Sequence, residues 1–354
     1  MMSAPSIVRR WLFTVCGLII FMVVFGGYVR LTRSGLSIVE WNVISGIIPP
    51  IGETQWQAEF AKYQLTPEFQ KVNTQMTLAE YKFIFYNEYI HRLVARFAGL
   101  IVAIPLFVFV AKKIVPWRKS GIYWLIVLLF SAQGAMGWYM VSSGLVDRPA
   151  VSHFRLTIHL LLALLLLAIT FWQALRLGTP GYRWQRTPLN WLSGLVIALL
   201  VVQIGYGGLV AGLKAGHVSD TWPLMFGYWF PPGLLSVVQP WWRNLIETMP
   251  TVHFVHRWFA FVVLLAASTL YIVVNKRADA AAIRQALRWL LLLVVVQITL
   301  GVSVIWFHVP IVLALLHQAT ALLLYVAALY VAFQLGHITQ PQEAAAQVRL
   351  ATLP

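Results

Sequence analysis

Residues 26–37 run Gly26-Gly27-Tyr28-Val29-Arg30-Leu31-Thr32, then Ser34-Gly35-Leu36-Ser37, with Trp41 just beyond; far downstream, Gly207-Gly208-Leu209-Val210 is followed by Gly216 and Trp222 at one fixed offset. Both stretches close an apolar run of about 20 residues, the length that crosses roughly 30 Å of hydrocarbon. A register shared over several positions marks an internal repeat, and the later landmarks keep the same order. Ile90-His91-Arg92 corresponds to Val255-His256-Arg257, Gln133 and Gly137 to Gln297 and Gly301, and His159 to His317.

Outward from these landmarks, spans of membrane-crossing length fall at about 11–29, 84–111, 121–143, 154–175, 190–213, 252–274, 287–307 and 311–335. A chain of 354 residues that is 60% apolar and only 10% charged is too greasy for a soluble domain and belongs in a bilayer. Each repeat unit holds four spans, an even number, so both halves enter the membrane in the same direction and are related by an axis along its normal. The expected fold class is an all-α polytopic membrane protein, with eight transmembrane helices as two pseudo-twofold-related four-helix bundles, residues 1–180 and 181–354. Bundle interiors are where facing helices build cofactor sites, so each half is expected to hold one.

The net charge of +15 is topological. Arg9, Arg10, Lys112, Lys113, Arg118, Lys119, Arg176, Lys276 and Arg277 fall in alternate loops on one side, which the positive-inside rule makes the cytoplasm. Both termini are then cytoplasmic, and the long loops 30–83 and 214–251 face outward. Membrane lipid is the partner this pattern implies, and nucleic acid is excluded. Trp56, Phe60, Tyr63, Phe69 and Tyr81 give the first long loop enough aromatic surface to pack. Trp222, Trp229, Trp241 and Trp242 suit the second to the headgroup layer. The lone Cys16 excludes an intramolecular disulfide or a thiolate metal cluster. The run Trp11 to Val29 follows Arg9 and Arg10 without a small-x-small cleavage site and is read as a retained first helix.

Helical rise places His91, His159, His256 and His317 roughly 25–31 Å from the cytoplasmic flanks, at one depth near the outer leaflet. In each half one histidine comes from the second span and one from the fourth, so two imidazoles can oppose each other across a plane. Ionisable groups inside a membrane are costly and usually functional. Structural zinc wants four nitrogen or sulfur ligands, whereas each half offers a pair; flat, apolar haem suits the pairs better. Arg92 and Arg257 are placed either to pair with haem propionates as two-pronged donors or to reach outer phosphates. Arg155 has the same choice, and Arg96, deeper in its span, calls for a buried partner. His153, His217, His308 and His337 are read as structural or solvent-facing.

Glu88 stands three residues before His91, on the same helix face, where the second half has His253. A carboxylate there can accept a proton or stabilise developing positive charge, or it can be an interfacial acid favoured by the helix dipole. The asymmetry points to one reactive site and one electron-handling site.

The Gly-Gly/Arg-Leu-Thr/Ser-Gly-Leu-Ser run, Glu88-Tyr89-Ile90-His91-Arg92 and the paired later histidines together resemble the haem A synthase family over nearly the whole chain. That resemblance implies oxidation of the C8 methyl group of haem O to the formyl group of haem A, for cytochrome oxidase. It implies His91 and His159 flanking the substrate haem, Glu88 assisting the oxidation, and His256 with His317 ligating a haem b cofactor. It also implies partners: haem O with its synthase, cytochrome oxidase assembly factors, and scope for a homo-oligomer. One branch of the family carries a cysteine pair in the first outer loop, which this chain lacks; it is similar to the alphaproteobacterial and mitochondrial branch. No mitochondrial presequence is evident, so a bacterial inner membrane is expected. Two rivals share the four histidines: a dihaem cytochrome b-type subunit exchanging electrons with quinone, and a haem carrier or transporter.

Overall fold

A computed structural model of the chain describes residues 4–42, 45–146, 148–184, 187–276 and 281–338. Its spanning helices are α1 (Ala4–Leu31), α4 (Leu78–Ala111), α5 (Gly121–Ser142), α6 (His153–Leu177), α7 (Pro188–Leu213), α9 (Met249–Asn275), α10 (Ala281–Trp306) and α11 (Ile311–Ile338), with short α2 (Glu53–Gln64), α3 (Pro67–Lys71) and α8 (Asn244–Glu247) outside them. Among the described residues, eight helices are long and apolar enough to cross a membrane, as the sequence pattern requires.

Local chemistry sets several boundaries. The second span begins six residues earlier than its apolar run, because Thr77 and Glu80 form a reciprocal capping box that starts α4 at Leu78. The extra turns meet the first long loop. There the aromatic Trp56, Tyr63, Tyr81 and Phe85 form a separate buried cluster with Ile84, and Phe60 and Phe69 pack against it, so the loop packs as its composition predicts. The second long loop is tied by buried Asn244, whose Nδ2 donates to the carbonyls of Leu235, Val238 and Trp241 and whose Oδ1 accepts from Val238 N. Its Trp229, Trp241 and Trp242 are exposed, whereas Trp222, grouped with them on sequence, is half-buried.

Helices α1, α4, α5 and α6 pack in a ring, and α7, α9, α10 and α11 pack in the same order in the second half. Between the halves α1 meets α11 and α7 meets α6, while α6 and α11 touch each other, the pattern expected of two halves related by a twofold axis. Tight packing is concentrated toward one end. Leu12, Val15, Val102, Leu106 and Leu167 are sealed at the end of the first bundle remote from its histidines, and Leu270, Val274, Leu287 and Leu290 do the same in the second. The opposite end of the spans is left for a cavity.

Candidate active site

His91 on α4, His159 on α6, His256 on α9 and His317 on α11 all line one continuous cavity of about 1050 Å³. That exceeds the roughly 300–1,000 Å³ of ordinary small-molecule sites. Each imidazole rests against a glycine of a neighbouring helix. A Cβ built on Gly26 would lie 3.2 Å from His91 Nε2, on Gly137 3.4 Å from His159 Cε1, on Gly207 3.3 Å from His256 Cε1, and on Gly301 3.0 Å from His317 Cε1. The second glycine of each Gly-Gly pair faces the other half: a Cβ on Gly27 would run into the Gln318 side chain, and one on Gly208 would meet Thr157 Oγ1 at 3.0 Å. The doublet therefore admits a ring from its own half and a helix from the other, the usual role of small residues between membrane helices.

The His256 and His317 rings are 6.3 Å apart between centroids and nearly perpendicular, at 84°. An iron held about 2 Å from one nitrogen of each ring would set the ring centres about 6 Å apart, which this separation fits. The Nδ1 atoms of His159, His256 and His317 are buried without a hydrogen-bond partner, a costly state for a polar atom. Around them, Gln133 donates to the His159 carbonyl and Gln203 to the His256 carbonyl, both at 2.9 Å, and the Gln297 amide lies 3.3 Å from His317 Nε2. The donor set, its spacing and its apolar surroundings fit axial ligation of haem.

Glu88 is only 3% exposed and lines the same cavity. Arg92 grips its Oε1 through Nη2 at 2.6 Å and Nε at 3.0 Å, while Oε2 accepts from Ser37 Oγ at 2.8 Å and the Ile38 backbone N–H at 2.9 Å. The Ser-Gly-Leu-Ser run thus docks on the Glu-x-x-His-Arg run, and Asn87 Nδ2 adds a bond to Ser34 Oγ at 3.2 Å. Four donors hold the carboxylate in one orientation. Such a group acts as a fixed negative charge, the preorganised kind of electrostatic stabiliser, more readily than as a mobile base.

The two arginines occupy equivalent frames but differ in what they have left to give. Arg92 stacks over Trp41 at 4.5 Å and donates to the Glu40 carbonyl; Arg257 stacks over Trp222 at 5.6 Å and donates to the Thr221 carbonyl. Arg92 spends its remaining donors on Glu88 and Ile38 O. Arg257, with His253 where Glu88 would be, keeps Nε and Nη1 buried and without a partner.

A family model described as cytochrome oxidase assembly protein, COX15-CtaA, matches residues 9–329. A protein of Nitrosospira multiformis named heme A synthase is 44% identical over 334 residues, covering 92% of each chain. Those of the same name from Nitrosomonas eutropha and Brucella ovis are 41% and 42% identical, over 92% and 89% of this chain and 93% and 88% of their own. This chain belongs to the haem A synthase family.

Of the site residues that the family resemblance implies, Glu88, His91, His159, His256 and His317 converge on the cavity, as do Arg92 and Arg257. Arg155 turns instead to the Tyr139 carbonyl at 2.7 Å and lies over the Tyr139 ring. Arg96 donates Nη2 to the carbonyl of exposed Asn42 at 2.9 Å. His217, read as a loop residue by default, lines the cavity, and so does His253. Sequence reasoning missed Ser37 and Ile38, which only chain return brings to Glu88. It also missed Arg30, Arg33 and Lys214 in the cavity wall, although the repeat register had already aligned Arg33 with Lys214.

Glu68, on α3, is a second buried carboxyl in that wall, 6% exposed, and Tyr63 Oη donates to it at 3.3 Å. Burial pushes its pKa up to about 7; the Tyr63 hydroxyl, Lys214 and Arg33 pull it down, and Glu88 pushes it further up. Because the folded value lies above the ordinary one, packing of the outer loop favours the protonated acid. That contribution is complete below about pH 4.5 and is lost as pH rises through about 7, at about 1.4 kcal/mol per pH unit between the two values. Hydrogen exchange over residues 53–71, corrected for intrinsic rates, should show protection falling from pH 5 to pH 8 in the native protein and staying level in Glu68→Gln. Equal pH dependence in both proteins would show that this carboxyl is not the group responsible.

Proposed function

We propose that this chain is a haem A synthase that oxidises the C8 methyl group of haem O in its first half, using a haem b held by His256 and His317 in the second. The observation that carries this is the asymmetry of two otherwise matched histidine pairs: Glu88 stands fixed beside His91, and His253 takes its place beside His256. Membership of the family supports it over most of the chain length.

Converting a methyl to a formyl group removes four electrons and four protons and adds the oxygen of one water. A b-type haem supplies a one-electron carrier at the second site. His91 and His159 hold the substrate from its two faces. Glu88 places a negative charge where positive charge develops on the oxidised carbon, and Arg92, Ser37 and Ile38 keep it there. In this assignment Arg92 is a positioning residue, and Arg257 directs its two free donors toward a haem b propionate. The site sits near the outer face of a bacterial inner membrane, with both termini in the cytoplasm. Haem O arrives from its synthase, and haem A leaves toward cytochrome oxidase assembly factors.

The test is to co-express the chain with a haem O supply, purify it and extract the pigments. A synthase yields haem A together with haem b. Haem b alone would support a quinone-linked dihaem subunit, and unaltered haem O would support a carrier; either result removes the synthase assignment.

A further inference from the structure

Glu88, Ile38 and Glu40 engage every guanidinium nitrogen of Arg92, so the arginine beside the first-half histidine has little left to offer a ligand. A haem in that half still brings two propionate carboxylates, which need cations elsewhere. Arg30, Arg33 and Lys214 line the same cavity. Arg33 and Lys214 occupy one register of the repeat, just past the first helix of each half. Both hold left-handed backbone, with φ of 53° and 56°. That conformation is strained for a residue with a Cβ, and glycine or asparagine would adopt it more easily. Two long cationic side chains stand there instead.

Arg30, one turn before Arg33, donates Nη1 to the carbonyl of its own repeat counterpart, Ala211, at 2.8 Å, which sets it on the junction of the halves. Among the described residues no ion pair includes any of the three. Desolvation holds the Lys214 ammonium below its ordinary pKa, with Arg33 and Arg30 adding to the effect and Glu68 opposing it. Like charges crowded in this way favour an anionic ligand. The whole cavity wall sets Arg30, Arg33, Arg92, Arg96, Lys214 and Arg257 against Glu88 and a Glu68 that is only partly ionised at neutral pH, a cationic surplus suited to haem propionates.

We propose that Arg30, Arg33 and Lys214 form the carboxylate anchor of the substrate haem, at the junction of the two halves. The proposal rests on the assignment of the first half to the substrate. Its chemical consequence is orientation: the C8 methyl is the ring neighbour of a propionate-bearing carbon, so clamping that propionate fixes the methyl relative to Glu88.

The test uses purified, haem b-loaded protein in nanodiscs, titrated with haem O and with its dimethyl ester. The first-half signal is the absorbance change that His91→Ala abolishes. The native protein is expected to prefer the diacid. The double variant Arg33→Gln/Lys214→Gln should weaken diacid binding by about tenfold or more while leaving the ester unaffected, as loss of charge-assisted bonds requires. An unaltered haem b spectrum certifies the fold. Diacid binding equal to the native protein's, or ester binding that falls in parallel, overturns the anchor. If the cations serve lipid phosphates, exchanging phosphatidylglycerol for phosphatidylcholine will change binding while diacid and ester remain equivalent, which also overturns it. A titration that ignores His91→Ala refutes the first-half substrate site itself, and the anchor with it.

Discussion

Replacing His317 with alanine is expected to remove the low-spin b-type haem proposed for the second half from the purified protein. The two second-half imidazoles stand 6.3 Å apart, a distance that one iron between them spans and that a single ring cannot bridge. Alanine would leave no ligand at this place, and Gly301 opposite it offers no side chain to replace the imidazole. The expected spectrum lacks the low-spin bands, and pigment extraction recovers little or no haem b. His256→Ala should do the same, but less cleanly. His253 lies one turn earlier on the same helix face and lines the same cavity, so it offers a replacement imidazole that α11 does not have beside His317. Unchanged haem b content and spectrum in both variants would end the assignment of this pair as ligands.

On the proposed function, Glu88→Gln is expected to abolish haem A formation while leaving the haem b spectrum intact. The substitution keeps the shape of the side chain and removes its charge. It also confronts Arg92 with a neutral amide, and removing one partner of a buried ion pair commonly costs about 3–5 kcal/mol. Some loosening of the outer loop is therefore expected along with the catalytic loss, and a second variant separates the two effects. Ser37→Ala deletes one of the donors that dock the loop on Glu88 and leaves the carboxylate charged. If the charge serves the oxidation, Ser37→Ala retains most haem A production and Glu88→Gln retains almost none. Equal losses in the two variants would reduce Glu88 to a docking residue, and near-normal production in Glu88→Gln would remove it from the chemistry. Because His256 and His317 lie in the other bundle, their haem reports on folding in every case.

The fold was legible in the sequence to the extent that it depends on quantities measured along single helices. Apolar run length gave eight crossings, and lysine and arginine placement gave the expected orientation. The fixed offset between Gly26-Gly27 and Gly207-Gly208 gave the repeat. Helical rise placed four histidines at one depth, and helical periodicity put Glu88 on the face of His91. The start of α4 was misplaced by six residues because its Thr77–Glu80 capping box lies outside the apolar signal.

What the tertiary structure decided is which donors meet which acceptors. Arg92 and Arg257 are identical in motif and sit in matching tryptophan–carbonyl frames, yet one is saturated and the other keeps two buried donors. The difference arises because Ser37 and Ile38, about 50 positions from Glu88 in the chain, return to it in space and complete a network that His253 cannot form. The same holds for the glycine opposite each imidazole and for the convergence of Arg30, Arg33 and Lys214. Hydrophobic length and periodicity are local properties that a one-dimensional pattern carries. Satisfaction of buried polar groups is a property of packed elements, and it becomes definite only when distant segments share the same low-dielectric space.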